Sequence, residues 1–265
     1  MIKKISSTAN PEIKEYIKIL RKSNARKQSG DFLVEGVREI DIAIRNNYFI
    51  KKIIYNPTLI NFDKVKKYVK GKTKCIETTD SVYKKISYRS STEGLIALVE
   101  KKTHNIDTLK IKNRSPLILI LDGIEKPGNI GALLRTSDAA KIDVVFIINQ
   151  KTDLYNSNII RSSIGCLFSN NIVLTTTEKT IEYLKENNIK IFSSFLKAST
   201  EYQEINYNEG CAIVLGSEDK GVSKKWLDES DELIYIPMQG HIDSLNVSNS
   251  GAIIIYEAKR QRNFR

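Results

Sequence analysis

Histidine is nearly absent from this chain. Only His104 and His241 occur in 265 residues, and neither has a catalytic partner near it in sequence. A hydrolase built on a Ser-His-Asp triad would need a better-placed base. Cysteine is scarce too. Cys75, Cys166 and Cys211 are far apart and odd in number, which suits neither a disulfide framework nor a zinc site. They are expected to be reduced core residues of a cytoplasmic protein. No apolar run approaches the ~20 residues of a membrane span. The opening "MIKKISSTANPEIK" has no apolar h-region of a secretory signal. No G-x-x-x-x-G-K-[ST] phosphate loop occurs, and "GNIG" lacks the G-x-G-x-x-G dinucleotide pattern. The expectation is a protein without a metal or a membrane anchor.

Charge is abundant but unevenly placed. Residues 1–115 hold 26 Lys and Arg against 12 Asp and Glu, whereas residues 116–265 hold 16 against 19. A lysine-rich genome would raise Lys everywhere. This polarity instead predicts a basic front half that attracts a polyanion and a nearly neutral back half with another task.

Both halves read as α/β. "NPEIKEYIKILRKS" predicts a helix capped by Asn10, with Pro11 first and Ile13, Ile17 and Leu20 on one face. Strands are expected at "DFLVEG", "KKIIYN", "TKCIET" and "GLIALVE". Helices are expected at "VREIDIAIRNN", at "TLINFDKVKKYVK" and after a cap at Asp80. This is a small domain over 1–100. Residues 101–115, charged and ending before Pro116, are the linker candidate. A second α/β series fills 116–265. "LILILD" is apolar on both faces, as in a parallel sheet.

Ligands of such sheets bind beyond the carboxyl ends of the strands. Three loops there gather glycines and small polar residues. They are "GIEKPGNIGALLRT" after "LILILD", "SEDKGV" after "CAIVLG", and "QGHIDSLNVSNSGA" after "ELIYIPM". Together they offer backbone groups, Asn and Ser side chains, and Arg135.

These loops resemble a known family. "NIGALLRT", "LGSEDKGV" with "IPM", and "SLNVSNSGA" are similar to motifs 1, 2 and 3 of the SpoU/TrmH family of RNA ribose 2′-O-methyltransferases, in the SPOUT superfamily. "NIIRSSIGCLF" resembles a further family segment. The likeness covers residues 116–262. In the front half, "NPEIKEYIKILRKSNARKQSGDFLVEGVREI" and "STEGLIALVE" resemble the family's ribosomal-protein-like substrate-binding domain.

The resemblance implies a parallel-sheet domain with a deep trefoil knot, S-adenosylmethionine as cofactor, RNA as partner and a homodimer. It implies catalytic roles for Asn129, Arg135, Glu218, Ser244 and Asn246. It implies cofactor contacts from Leu215, Gly216, Ile236, Met238, Leu245, Asn246 and Ser248. The implied reaction is methylation of a ribose 2′-hydroxyl in structured RNA, with 23S ribosomal RNA favoured by the two-domain layout. A transfer RNA enzyme, or a non-catalytic RNA-binding or ribosome-assembly protein with the same fold, are the alternatives. The chain departs from the family at Lys126, where Asp is commoner, and at "SNSGA" in motif 3. The proton acceptor stays open between Arg135 and a substrate phosphate. Deleting residues 1–100 is expected to weaken RNA binding and spare cofactor binding. Asn249 and Ser250 have no assigned role.

Overall fold

The computed structural model describes residues 2–89 and 93–264. Ser91 and Thr92 of "STEGLIALVE" lie outside them. The chain forms two compact units. One holds residues 1–103 and 153–169, and the other holds 104–152 and 170–265.

The first unit begins with β1 (Lys3–Ile5), α1 (Pro11–Arg21), α2 (Ser23–Ser29), β2 (Asp31–Glu35), α3 (Val37–Arg45) and β3 (Ile50–Tyr55). It continues with α4 (Phe62–Val65), β4 (Lys74–Thr78), α5 (Asp80–Ile86) and β5 (Leu95–Glu100). The sheet order is β1-β4-β3-β5-β2, with β5 antiparallel to β3 and β2. Asn10 caps α1 by accepting the Glu12 N–H. The face of α1 that is buried carries Ile13, Tyr16 and Ile19, while Ile17 and Leu20 flank it half-buried. The expected helix at "TLINFDKVKKYVK" is only α4 and a 3₁₀ turn at Lys66–Tyr68. Its apolar residues Phe62, Val65 and Tyr68 recur every three positions, the period of a 3₁₀ turn. Asp80 is not a cap. Thr79 takes that position, and the Asp80 carboxylate accepts from Asn56 and Thr58.

The second unit contains β6 (Leu117–Asp122), α6 (Pro127–Ala139) and β7 (Val144–Ile148). After α7 (Ser157–Ser162), which belongs to the first unit, come β8 (Ile172–Thr175), α8 (Thr177–Glu186), β9 (Lys190–Ser194) and β10 (Thr200–Glu201). β11 (Cys211–Leu215), α9 (Lys224–Glu229), β12 (Glu232–Tyr235) and α10 (Val247–Gln261) complete it. The sheet order is β10-β12-β9-β11-β6-β7-β8, and every pairing is parallel. All six residues of β6 are buried, which accounts for its unbroken apolar run. The core gathers Ile118, Phe146, Val214 and Trp226. Most of the expected linker, residues 104–115, is part of this unit. Ile106, Leu109 and Ile111 pack on its core, and the Leu174 N–H donates to the His104 carbonyl at 2.7 Å.

Residues 153–169 join the first unit through apolar and ionic contacts. Tyr155 stacks on Phe32 at 4.2 Å between ring centroids, and Phe168 meets Tyr48 at 4.9 Å. Arg26, only 3% exposed, donates from Nε to Asp153 Oδ2 at 2.5 Å and from Nη1 to the Ile19 carbonyl at 2.8 Å. Cys75 and Cys211 are buried and Cys166 is half-buried. Among the described residues no helix is long and apolar enough to cross a membrane. None of their His, Cys, Asp and Glu side chains forms a metal-holding group.

Candidate active site

In the second unit β11 lies between β6 and β9. From β6 the chain builds outward through β7 and β8, then crosses to the other side. The loops at the carboxyl ends of β6, β11 and β9 therefore open at a switch point, where α/β sheets bind ligands. A cleft of about 500 Å³ lies there.

The β11 loop forms one wall. It folds back on itself, with Ser217 N–H donating to the Gly221 carbonyl at 3.1 Å and Gly221 N–H to the Ser217 carbonyl at 2.9 Å. Gly216 lies beneath this turn. A Cβ there would sit 2.0 Å from the Gly221 carbonyl carbon and 2.1 Å from the Val222 nitrogen. Only glycine permits so close an approach of backbone to backbone.

Asn246 ends the third loop and starts α10. As N-cap, its Oδ1 accepts the Ser248 N–H at 2.9 Å and the Ser248 hydroxyl at 2.6 Å. Its Nδ2 points the other way and donates to Asn129 Oδ1 at 3.2 Å. Asn129, buried in the first turn of α6, donates from Nδ2 to Glu218 Oε1 at 2.5 Å. The Glu125 N–H reaches Glu218 Oε2 at 3.3 Å. One relay thus ties the three loops together. Burial works against ionisation of Glu218. Donors from Asn129 and from the backbone of Glu218, Glu125 and Lys126 outweigh it and hold the carboxyl below its usual range. α10 closes on this wall because Gly251 has no side chain. A Cβ there would meet Leu133 and Leu215 at 2.5 and 2.6 Å.

Residues 116–256 match the SpoU rRNA Methylase family, and residues 10–97 match the MRM3-like substrate binding domain. The chain belongs to the SpoU rRNA methylase family. It is 26% identical over 259 residues to the 23S rRNA (guanosine(2553)-2′-O)-methyltransferase RlmP of Bacillus subtilis (strain 168), covering 97% of this chain and 100% of that one. It superposes on a crystal structure of an RNA 2′-O ribose methyltransferase with TM-score 0.85 and 35% identity, over 98% and 99% of the two chains. The A. aeolicus TrmH/SpoU tRNA modifying enzyme matches less of it. That likeness has TM-score 0.52 and 30% identity, over 57% of this chain and 78% of the other.

In this SpoU family chain the expected residues divide into groups. Leu215, Gly216, Glu218, Ser244, Leu245 and Asn246 line the cleft, and Asn129 links two of them. Ser248 is bound to Asn246 in the first turn of α10 and is not part of the lining. Ile236 and Met238 are half-buried beyond the end of β12 and do not line it either. Arg135 is exposed on α6, outside the lining, and makes no ion pair among the described residues. It follows Asn129 by six positions, so it points about 120° away around the helix.

The lining also includes residues without an expected role. Ser194 ends β9 and Phe195 to Lys197 follow it, and the rule of strand ends would have found them. Ser250 lines the cleft one turn after Asn246, whose carbonyl accepts its hydroxyl at 3.4 Å. Lys126 and Lys220 stand exposed at the rim.

Proposed function

We propose that this chain transfers a methyl group from S-adenosylmethionine to a ribose 2′-hydroxyl of 23S ribosomal RNA. The relay Asn246–Asn129–Glu218 carries this reading, because it organises the three family loops around one cleft. The cleft's 500 Å³ falls within the ~300–1,000 Å³ of small-molecule sites. Leu215, Leu245, Phe195 and Leu196 offer apolar surface for an adenine ring, and the loop backbones offer amides and carbonyls. The residues present fit the cofactor. The ribosomal substrate is favoured by the relative matched along the whole chain, front unit included, whereas the tRNA enzyme matches about half.

Bound S-adenosylmethionine supplies a methyl group already activated by its sulfonium. The protein therefore has to align a hydroxyl and assist loss of one proton. Asn129 and Asn246 hold the loops at fixed spacing, and ionised Glu218 anchors them. Arg135 positions the ribose and a neighbouring phosphate and stabilises the forming alkoxide. A guanidinium stays charged and has no acceptor, so the proton leaves to that phosphate.

The functional unit would be a homodimer. Tyr256 and Phe264 are 44% and 64% exposed with ring centroids 6.4 Å apart, an apolar surface at α10 that suits a second copy. Because Arg135 faces away from Asn129, it would serve the partner's cleft. A knotted chain is part of the same reading. β12 lies beyond β9 from β11, yet α10 packs back on β11 and α6, so the segment between β12 and α10 runs back past β9, as a knotted path would need.

The test is labelled-methyl transfer to unmethylated 23S ribosomal RNA, followed by mapping of 2′-O-methyl positions. The wild type should label one nucleotide. Arg135→Ala should lose transfer while binding S-adenosylmethionine in calorimetry. Mixing Arg135→Ala with Glu218→Gln chains should restore about a quarter of wild-type activity, from mixed dimers with one intact site. Transfer to RNA bases, or near-normal turnover by Arg135→Ala, would refute the assignment.

A further inference from the structure

The first unit holds a second cleft, of about 430 Å³, lined by Arg38, Glu39, Arg89, Glu93, Arg161 and Ile164. Three guanidiniums converge there against their mutual repulsion. The two acids do not neutralise them evenly. The Glu39 carboxylate, 4% exposed, is paired with Arg89. Glu93 Oε2 is occupied by the Val37 N–H at 2.6 Å. Arg38 and Arg161 remain exposed and without an acidic partner among the described residues.

The supports of these arginines are built. The backbone N–H groups of Tyr88 and Arg89 donate to Glu35 Oε2 at 2.7 and 3.1 Å. Glu39 can reach under Arg89 because Gly36, at φ +111°, has no Cβ. One would lie 2.2 Å from Glu39 Oε2. Arg161 lies in the last turn of α7, and the next turn is left-handed at Ile164 (φ +53°) and Gly165 (φ +82°). A β-branched residue seldom adopts that conformation, and such strain persists where surrounding structure enforces it. The enforcing contact is visible. A Cβ on Gly165 would meet Glu39 Cα at 3.1 Å, so the turn bearing Arg161 is pressed onto α3, which bears Arg38. Tyr88, 41% exposed, presents its ring 6.0 Å from the Arg161 guanidinium.

We propose that this cleft grips the phosphodiester backbone of the RNA substrate, with Arg38 and Arg161 on phosphate oxygens and Tyr88 stacking an unpaired base beside them. Arg suits this task because its planar fork matches phosphate oxygens pairwise. The inference rests on the RNA reading above and adds where the RNA is held. Arg161 lies outside the 10–97 match to a substrate-binding domain. The grip is assembled from both halves of the sequence although it lies in one unit.

The test is filter binding of the full chain to purified 23S ribosomal RNA across a salt series, with S-adenosylmethionine calorimetry on each variant as a folding control. The double variant Arg38→Ala/Arg161→Ala should bind RNA about 10–100-fold more weakly, with the log–log salt slope reduced by about 2. Tyr88→Ala should weaken binding about tenfold without changing that slope. A control that removes two exposed charges from the other unit, Lys110→Ala/Lys179→Ala, should stay within about threefold of wild type. RNA binding by the double variant within about twofold of wild type, at unchanged slope, overturns the site and leaves the function standing. Displacement of RNA by inorganic phosphate or polyglutamate at matched ionic strength also overturns it, because the cleft would then be a general anion site. Absence of RNA binding by the wild type would instead overturn the functional reading, and this site with it.

Discussion

Asn129→Ala should break the relay at its centre. The change removes the donor 2.5 Å from Glu218 and the acceptor 3.2 Å from Asn246. A hydrogen bond to a charged group contributes about 1.5–3 kcal/mol and a neutral one about 1 kcal/mol. Glu218 is exposed, so solvent screening puts its share at the low end. Asn129→Ala should then lower the unfolding free energy by about 2 kcal/mol. In a double-mutant cycle with Glu218→Ala, the coupling should be about 1–1.5 kcal/mol. Urea unfolding at pH 7 measures all four corners of the cycle. The pH dependence follows from the lowered carboxyl of Glu218. Its ionised form contributes fully above the unfolded value near ~4.3, and the contribution is lost as pH falls through the lower folded value. The coupling should therefore hold down to about pH 5 and fade below about pH 4. A coupling under about 0.3 kcal/mol at pH 7 would show that the three loops are held independently. The relay would then not be what organises the site.

Two further substitutions probe the frame around the sites. Gly216→Ala places a Cβ against backbone atoms that cannot rotate away, so the β11 turn must shift by about 1 Å or more. S-adenosylmethionine affinity should fall at least tenfold by calorimetry, and unchanged affinity would mean that this turn is not a cofactor wall. Arg26→Met leaves Asp153 with Lys101, 3.8 Å away, as its one cationic partner among the described residues and the Tyr155 N–H at 3.2 Å, and should cost about 3–5 kcal/mol in urea unfolding. Arg26→Met/Asp153→Leu should recover most of that loss. A single variant within about 1 kcal/mol of wild type would show that the buried pair does not secure residues 153–169.

The strands of the second unit were readable because burial on both faces leaves an unbroken apolar run, as in "LILILD" and "CAIVLG". Local polar signals were less reliable. Asp80 looks like a cap, yet Asn56 and Thr58, more than 20 residues away, claim its carboxylate. Asn246 stood out only through the family motif. Its amide in fact serves two roles from opposite ends, with the oxygen on α10 and the nitrogen on Asn129. Ser250, which has no role from the sequence, lines the cleft, whereas Asn249 is exposed and nothing in the structure explains it. Arg135 stood out only through the family motif, since an exposed arginine on a helix carries no local sign of function.

Residues 153–169 show why sequence order misleads. Tyr155, Ile159, Ile160 and Phe168 read as an ordinary apolar helix-and-turn face, and nothing in that pattern names the surface they cover. They are buried in the first unit, against Phe32 and Tyr48 among others. Deleting residues 1–100 would therefore not yield a clean second unit. It would expose four large apolar side chains and leave Asp153 without Arg26, a recipe for aggregation rather than a test of RNA binding. The double variant at Arg38 and Arg161 asks the same question of the front unit without removing any packing. Both side chains are exposed, so lost RNA affinity at unchanged cofactor affinity can be assigned to charge and geometry alone.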